Sequence, residues 1–146
     1  MANVHFTVTR NISLPAQVVF EEIIDWKGHA KWVPMTRVKI VSGDGGTGTV
    51  FVATSGIGPV ALPDRMRVDE LDSDLRTVKI TKIGPMLTGV VDLAVIATGE
   101  DSCRLDWVED IRVPGLPQFL ASPVAAAARR GFEISITRMV KLLAQS

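Results

Sequence analysis

Apolar and polar positions alternate from residue 3 to 12, with Val4, Phe6 and Val8 on one side and His5, Thr7 and Thr9 on the other. A period of two predicts a strand with one buried face. Ser13-Leu14-Pro15 then offers an N-cap and a proline suited to a first helical turn. Val19, Phe20, Ile23 and Ile24 recur at helical spacing, with Glu21 and Glu22 outside. This predicts a short amphipathic helix ending near Asp25. Gly28 interrupts the pattern and Pro34 forbids its simple continuation, so His29 to Trp32 forms at most one further turn.

From Thr36 onward β-branched residues dominate, and turn signals separate successive runs: Gly43-Asp44-Gly45-Gly46, Asp72-Ser73-Asp74 and Gly99-Glu100-Asp101. The runs predict strands at Arg37 to Val41, Thr49 to Thr54, Arg65 to Leu71, Thr77 to Ile83, Leu87 to Ala97 and Arg104 to Val113. Together with the first strand they make seven, all antiparallel. Leu87 to Ala97 is apolar almost throughout, which predicts a strand near the middle of the layer with both faces covered. Pro117 can open the last element. Beyond an interruption at Pro123, the stripe Phe132, Ile136, Met139, Val140 and Leu143 predicts a long closing helix.

No helix lies between the later strands, so a doubly wound parallel sheet is excluded and the class is α+β. Seven antiparallel strands twist and curl, and the closing helix can lie across the concave side. The 146 residues predict one domain, 1–146, large enough to bury a core without a metal or disulfide. Sixteen Lys and Arg balance sixteen Asp and Glu, which leaves no positive field for phosphates and argues against a nucleic-acid partner. The single Cys103 and an opening without the cationic start and apolar run of a secretory signal predict a cytoplasmic protein. The stretch Phe119 to Ala128 is too short to span a bilayer, so no stable membrane insertion is expected.

The order of elements, together with Ile12-Ser13-Leu14-Pro15-Ala16-Gln17-Val18-Val19-Phe20, Asp25-Trp26, Trp32-Val33-Pro34 and the Pro114-Gly115-Leu116-Pro117 entry into the last helix, resembles the START-like (SRPBCC) superfamily. More narrowly it is similar to the bacterial polyketide cyclase/dehydrase and lipid-transport group. The resemblance covers nearly the whole chain and implies the helix-grip fold, a curved sheet wrapped around a long C-terminal helix with two short helices after the first strand. It also implies a cavity under the helix for a small hydrophobic or amphipathic molecule, such as a lipid or a polyketide-like compound. Binding or transport of such a ligand, without a cofactor, is the leading expectation, in a monomer or homodimer. A cofactor-independent cyclase or dehydratase is the second. A protein-interaction module, like chaperone regulators or toxin-like members, is the third.

The run Leu105 to Ile111 carries the sharpest candidate. Leu105, Trp107, Glu109 and Ile111 share one face of a strand, which puts a carboxylate in apolar company. An ionised carboxylate buried alone costs several kcal/mol, so Glu109 is expected to pair with a cation such as Arg67 or Lys82, to take up a proton, or to hold a polar ligand head group. Ala121, Ser122 and Ala125 to Ala128 either leave room over the sheet or let helix and sheet approach closely. Phe132, Ile136 and Met139 are either the roof of a hollow or plain core. His29 is either a base near the cavity mouth or a surface or capping histidine. The candidate ligand-binding set is Trp107, Glu109, Phe132, Ile136, Met139, Arg67 and His29.

Other chemistries lack their residues. His5, His29 and Cys103 are too few and scattered for a metal, and none is expected. Gly43 to Gly48 lacks the Gly-Lys-Ser/Thr ending of a phosphate loop, and neither a nucleophile elbow nor a dinucleotide fingerprint occurs. The apolar connection from Thr54 to Pro63 is open to three readings: a lid, a subunit contact, or packing on the sheet edge.

Overall fold

The alternating N-terminal segment forms β1, Ala2–Ile12, with Val4, Phe6, Val8 and Ile12 buried and His5, Thr7, Thr9 and Asn11 turned outward. A short helix α1, Ala16–Ile24, buries Val19, Phe20 and Ile23, and a 3-10 helix follows at Lys27–Lys31. Pro15 itself stands at the N-cap of α1 and no side chain caps it, so the expected Ser13 cap is not made. Six strands then run in sequence: β2 Thr36–Ser42, β3 Val50–Ser55, β4 Leu62–Asp72, β5 Thr77–Ile83, β6 Thr88–Gly99 and β7 Ser102–Val113. A 3-10 turn, Gln118–Leu120, leads into the long helix α2, Ala121–Ala144. This computed structural model describes residues 2–56 and 61–145.

All seven strands join one antiparallel sheet in the order β1-β7-β6-β5-β4-β3-β2. Every consecutive pair from β2 to β7 is a neighbour, as expected where no helix intervenes, while β1 closes on β7. The chain therefore passes from one edge to the other through α1, which packs on β6 and β7, and the 3-10 helix, which reaches β2. Register shifts in β2, β4 and β6 add local twist to the antiparallel ladder. Arg10 ties α2 to β1, donating from Nη2 to the Glu133 carbonyl at 3.1 Å and to Thr137 Oγ1 at 2.9 Å.

Two expectations are corrected. Pro123 does not interrupt the last helix, because it stands in the first turn of α2, where backbone N–H groups have no helical partner to lose. β6 is an internal strand, but only its inner face is covered: Val91, Leu93 and Val95 are buried, whereas Val90 is 47% and Ile96 37% exposed. An unbroken apolar run thus marks one buried face and one that merely tolerates water. Of the connection between β3 and β4, Ile57 to Val60 lie outside the described residues, so its three readings are not decided here.

Candidate ligand-binding cavity

The inner face of β7 presents Trp107 and Glu109 side by side along the strand. Their neighbours across the ladder are Val8 and Leu93 for Trp107, and Phe6 and Val91 for Glu109. The carboxylate is therefore held among apolar side chains and is only 2% exposed. Trp107 Nε1 donates to Glu109 Oε2 at 2.7 Å, and Lys82 Nζ lies 3.6 Å from Oε1. Lys82 also donates to Asp64 Oδ2, at the start of β4, and its Nζ lies 3.9 Å from Met66 Sδ. The result is a buried cluster of two carboxylates around one ammonium.

Between Lys82 and β7 the sheet carries a glycine. The residue paired with Lys82 on β6 is Gly89, which in turn pairs with Ile111 on β7. Gly89 has φ of +135°, and a Cβ built there would stand 2.0 Å from the Asp110 carbonyl oxygen. Only glycine lets β6 close on β7 at this point.

Burial pushes the Glu109 carboxyl above its ordinary value, against the Lys82 charge and the Trp107 hydrogen bond, which favour the anion. Burial alone would lower Lys82, but the charges of Glu109 and Asp64 and the hydrogen bond to Asp64 outweigh it and hold the ammonium above its ordinary value. Lys82 is therefore a proton holder rather than a nucleophile. Glu109 is the group whose proton occupancy can change.

These side chains close one end of a cavity of about 110 Å³ between the sheet and the helices. Its walls are chiefly Trp26, Phe51, Val91, Leu93, Trp107 and Phe132. Trp26 stacks on Phe51 with centroids 4.9 Å apart and donates from Nε1 to the Gly45 carbonyl at 2.8 Å, so the glycine-rich turn serves as an anchor for a wall. A second, more open groove of about 370 Å³ runs along α2 past Ala128, Gly131, Ile134 and Ser135. Among the described residues, cavity and groove share Val33, Thr36, Ser55 and Phe132, which stand between them. Phe132 is the largest of the four, and its ring rests on Trp107 at 4.8 Å and on Phe6 at 5.6 Å.

Four of the seven expected site residues, Trp107, Glu109, Phe132 and His29, line the cavity. Ile136 and Met139 are fully buried in the core and do not reach it. Arg67 points to the opposite face of β4, where it pairs with Asp69 at 2.7 Å and stays 48% exposed. The cation beside Glu109 is Lys82. His29 bonds through Nε2 to the Ile23 carbonyl at 2.7 Å, the capping role, and burial lowers its pKa below 6.5 despite that bond and the nearby Asp25. Its ring is neutral near pH 7, with Nε2 as the donor. Of the small residues on α2, Ala128 borders the groove and none lines the inner cavity.

Lys82 and Asp64 were absent from the expected set. Lys82 continues the inward series Val78, Ile80, and that parity was readable. Asp64 precedes the expected start of its strand at Arg65, and the extra residues of β4 give it the inward parity of Met66 and Val68. Among the described residues no group of three or more metal-ligating side chains comes together, and no helix is long and apolar enough to cross a membrane.

A curved antiparallel sheet, a long C-terminal helix and a cavity between them define the START-like helix-grip class. The START superfamily protein from Mycobacterium smegmatis superposes with a TM-score of 0.81 at 13% identity, over 95% of this chain and 98% of that one. The Zhui aromatase/cyclase of Streptomyces sp. R1128 gives 0.72 at 16% identity, over 97% and 91%. A norcoclaurine synthase point mutant from Thalictrum flavum gives 0.69 at 21%, over 99% and 98%. The chain belongs to the polyketide cyclase/dehydrase and lipid transport family, whose model matches residues 3–144. No curated protein matches it by sequence.

Proposed function

We propose that this protein binds a small, mostly apolar molecule whose ring-sized body enters the inner cavity and whose remainder lies in the groove along α2. The observation that carries this reading is the cavity itself, apolar on its walls and charged at one end. Its size sets the ligand. A protein cavity of roughly 150 Å³ accommodates benzene, and this one is smaller, so one ring is the upper limit of what it holds without movement of its walls. Anything longer has to pass Phe132 into the groove.

The test is native mass spectrometry of the purified protein with solvent extraction of whatever it retains, together with titration by benzyl alcohol as a ring-sized probe. Wild type is expected to carry or take up one such molecule. Ala53 on β3 also lines the cavity, and Ala53→Phe, which fills it with a ring of the protein's own, is expected to lose the molecule. Equal loading of wild type and variant, or no uptake by wild type, refutes the reading.

A cyclase or dehydratase is the second reading, and one feature favours it. Glu109 can hold a proton beside the Lys82 ammonium, and such a pair can polarise a carbonyl and deliver a proton to it. Family membership and the fold likeness to an aromatase/cyclase support the same direction. In that case Glu109→Gln abolishes turnover while the ligand still binds; turnover that survives the substitution rules Glu109 out as the acid.

A further inference from the structure

The charged end of the cavity is short of hydrogen-bond donors and of positive charge. Glu109 Oε1 and Asp64 Oδ1 are both buried and neither has a hydrogen-bond partner. Trp107 already serves Glu109 Oε2, and Lys82 Nζ, at 3.6 Å from Oε1, is too far for a hydrogen bond. The other polar side chains on the cavity wall are engaged elsewhere. Thr36 and Ser55 bond each other through their hydroxyls at 2.8 Å, and His29 Nε2 bonds the Ile23 carbonyl. The charge count agrees: the ionisable residues on the wall are Asp64, Lys82, Glu109 and the neutral His29. Two carboxylates thus face one ammonium.

We infer that this end of the cavity receives a cationic head group, a primary ammonium on a ring-sized apolar body. The inference rests on the ligand-binding reading above and names the chemistry of the ligand. A carboxylate would bring a third negative charge into the same buried cluster. A hydroxyl brings one donor and answers one of the two open oxygens. An ammonium brings three donors and one positive charge, so it can answer both oxygens and the charge deficit together. When Glu109 holds a proton in the empty protein, the arriving ammonium takes that proton's place and the proton leaves to solvent.

Benzylamine, benzyl alcohol and benzoate share one ring and differ at the head, so they are the probes, titrated calorimetrically at pH 7. Benzylamine is expected to bind at least about tenfold more tightly than benzyl alcohol, the scale of one charge-assisted hydrogen bond, and benzoate more weakly than either. Glu109→Gln and Asp64→Asn, which each take one negative charge from the wall, should each bring the ratio of amine to alcohol affinity down toward one. Benzoate binding as tightly as benzylamine overturns the inference, as does an amine that binds no tighter than the alcohol; both outcomes leave the cavity reading standing. Failure of all three probes removes the cavity reading and this one together. The ranking in wild type decides even where a variant fails to fold.

Discussion

Lys82→Met takes the ammonium from between Asp64 and Glu109 and leaves an unbranched apolar side chain of similar reach. Lys82 is 6% exposed, so solvent cannot replace the lost charge. Stripping the partner from a buried ion pair costs about 3–5 kcal/mol, against about 0–1 kcal/mol for an exposed one. The structure also supplies a ceiling, because Glu109 can escape the penalty by holding a proton. From an ordinary value of 4.5, holding it at pH 7 costs about 3.4 kcal/mol. The expected loss at pH 7 is therefore about 3 kcal/mol, or roughly 10 °C in Tm for a chain of this size. The sign with pH follows. A carboxyl whose folded pKa is raised contributes stability that is full below its unfolded value and is lost as pH rises through the folded one, so the variant's deficit should shrink toward pH 4.5. Lys82, raised in the folded protein, contributes stability present below its ordinary 10.5 and lost above it, and the variant lacks that contribution. Urea unfolding at pH 4.5, 5.5 and 7 reads the Glu109 effect, and a further series above pH 10.5 reads that of Lys82. A deficit under about 1 kcal/mol at pH 7, or one equal at pH 4.5 and 7, refutes the argument.

Gly89→Ala forces a Cβ onto the Asp110 carbonyl oxygen, a backbone atom that cannot turn aside; a loss above about 2 kcal/mol in urea unfolding is expected, and a neutral result contradicts the close approach of β6 and β7. Gly131→Ala meets nothing within 4 Å and replaces a mid-helix glycine, so it should gain about 0.5–1 kcal/mol in the same assay. Phe132→Ala removes the largest divider between cavity and groove; it should cost about 2 kcal/mol and let probes longer than one ring bind more tightly, measured by titration. His29 has its pKa lowered by burial, so its contribution is present above pH 6.5 and lost as pH falls below it; His29→Asn, which can still donate to the Ile23 carbonyl, should flatten that acid limb in a pH series of thermal melts.

Period and punctuation carried most of the fold. The alternation at residues 3–12, the three polar turns and the closing helical stripe correspond to β1, the three hairpins and α2. Where the reading failed, a local rule met a context that it does not contain. Pro123 reads as a break anywhere but in a first turn, and the run at residues 87–97 reads as doubly buried although its outer face is open. The site was half legible. Parity along β7 placed Glu109 inward beside Trp107, but choosing its partner needed the register across β6. Arg67 and Lys82 are equally basic in the sequence, and they face opposite sides of the sheet. Ile136 and Met139 belong to the same helical stripe as Phe132, but only Phe132 stands above the cavity; helical spacing does not tell a roof from a core.

The cluster of Asp64, Lys82 and Glu109 is not what a stable interior requires. Apolar side chains of the same volume usually serve a buried core as well as an ion pair or better. Here the pairing is also incomplete, with two buried carboxylate oxygens unanswered. On this ground the double variant Lys82→Met/Glu109→Gln, which removes both charges of that pair but leaves Asp64 without its cation, should recover the part of the lost stability that belongs to Glu109. The double variant keeps Asp64 without a cation, the same net negative charge as the wild-type cluster, so it should retain an amine preference. Recovery of stability with selectivity retained would separate the two roles. A double variant as unstable as the single one would instead make the pair a structural element of the sheet, and the case for a binding role would then rest on the shape of the cavity alone.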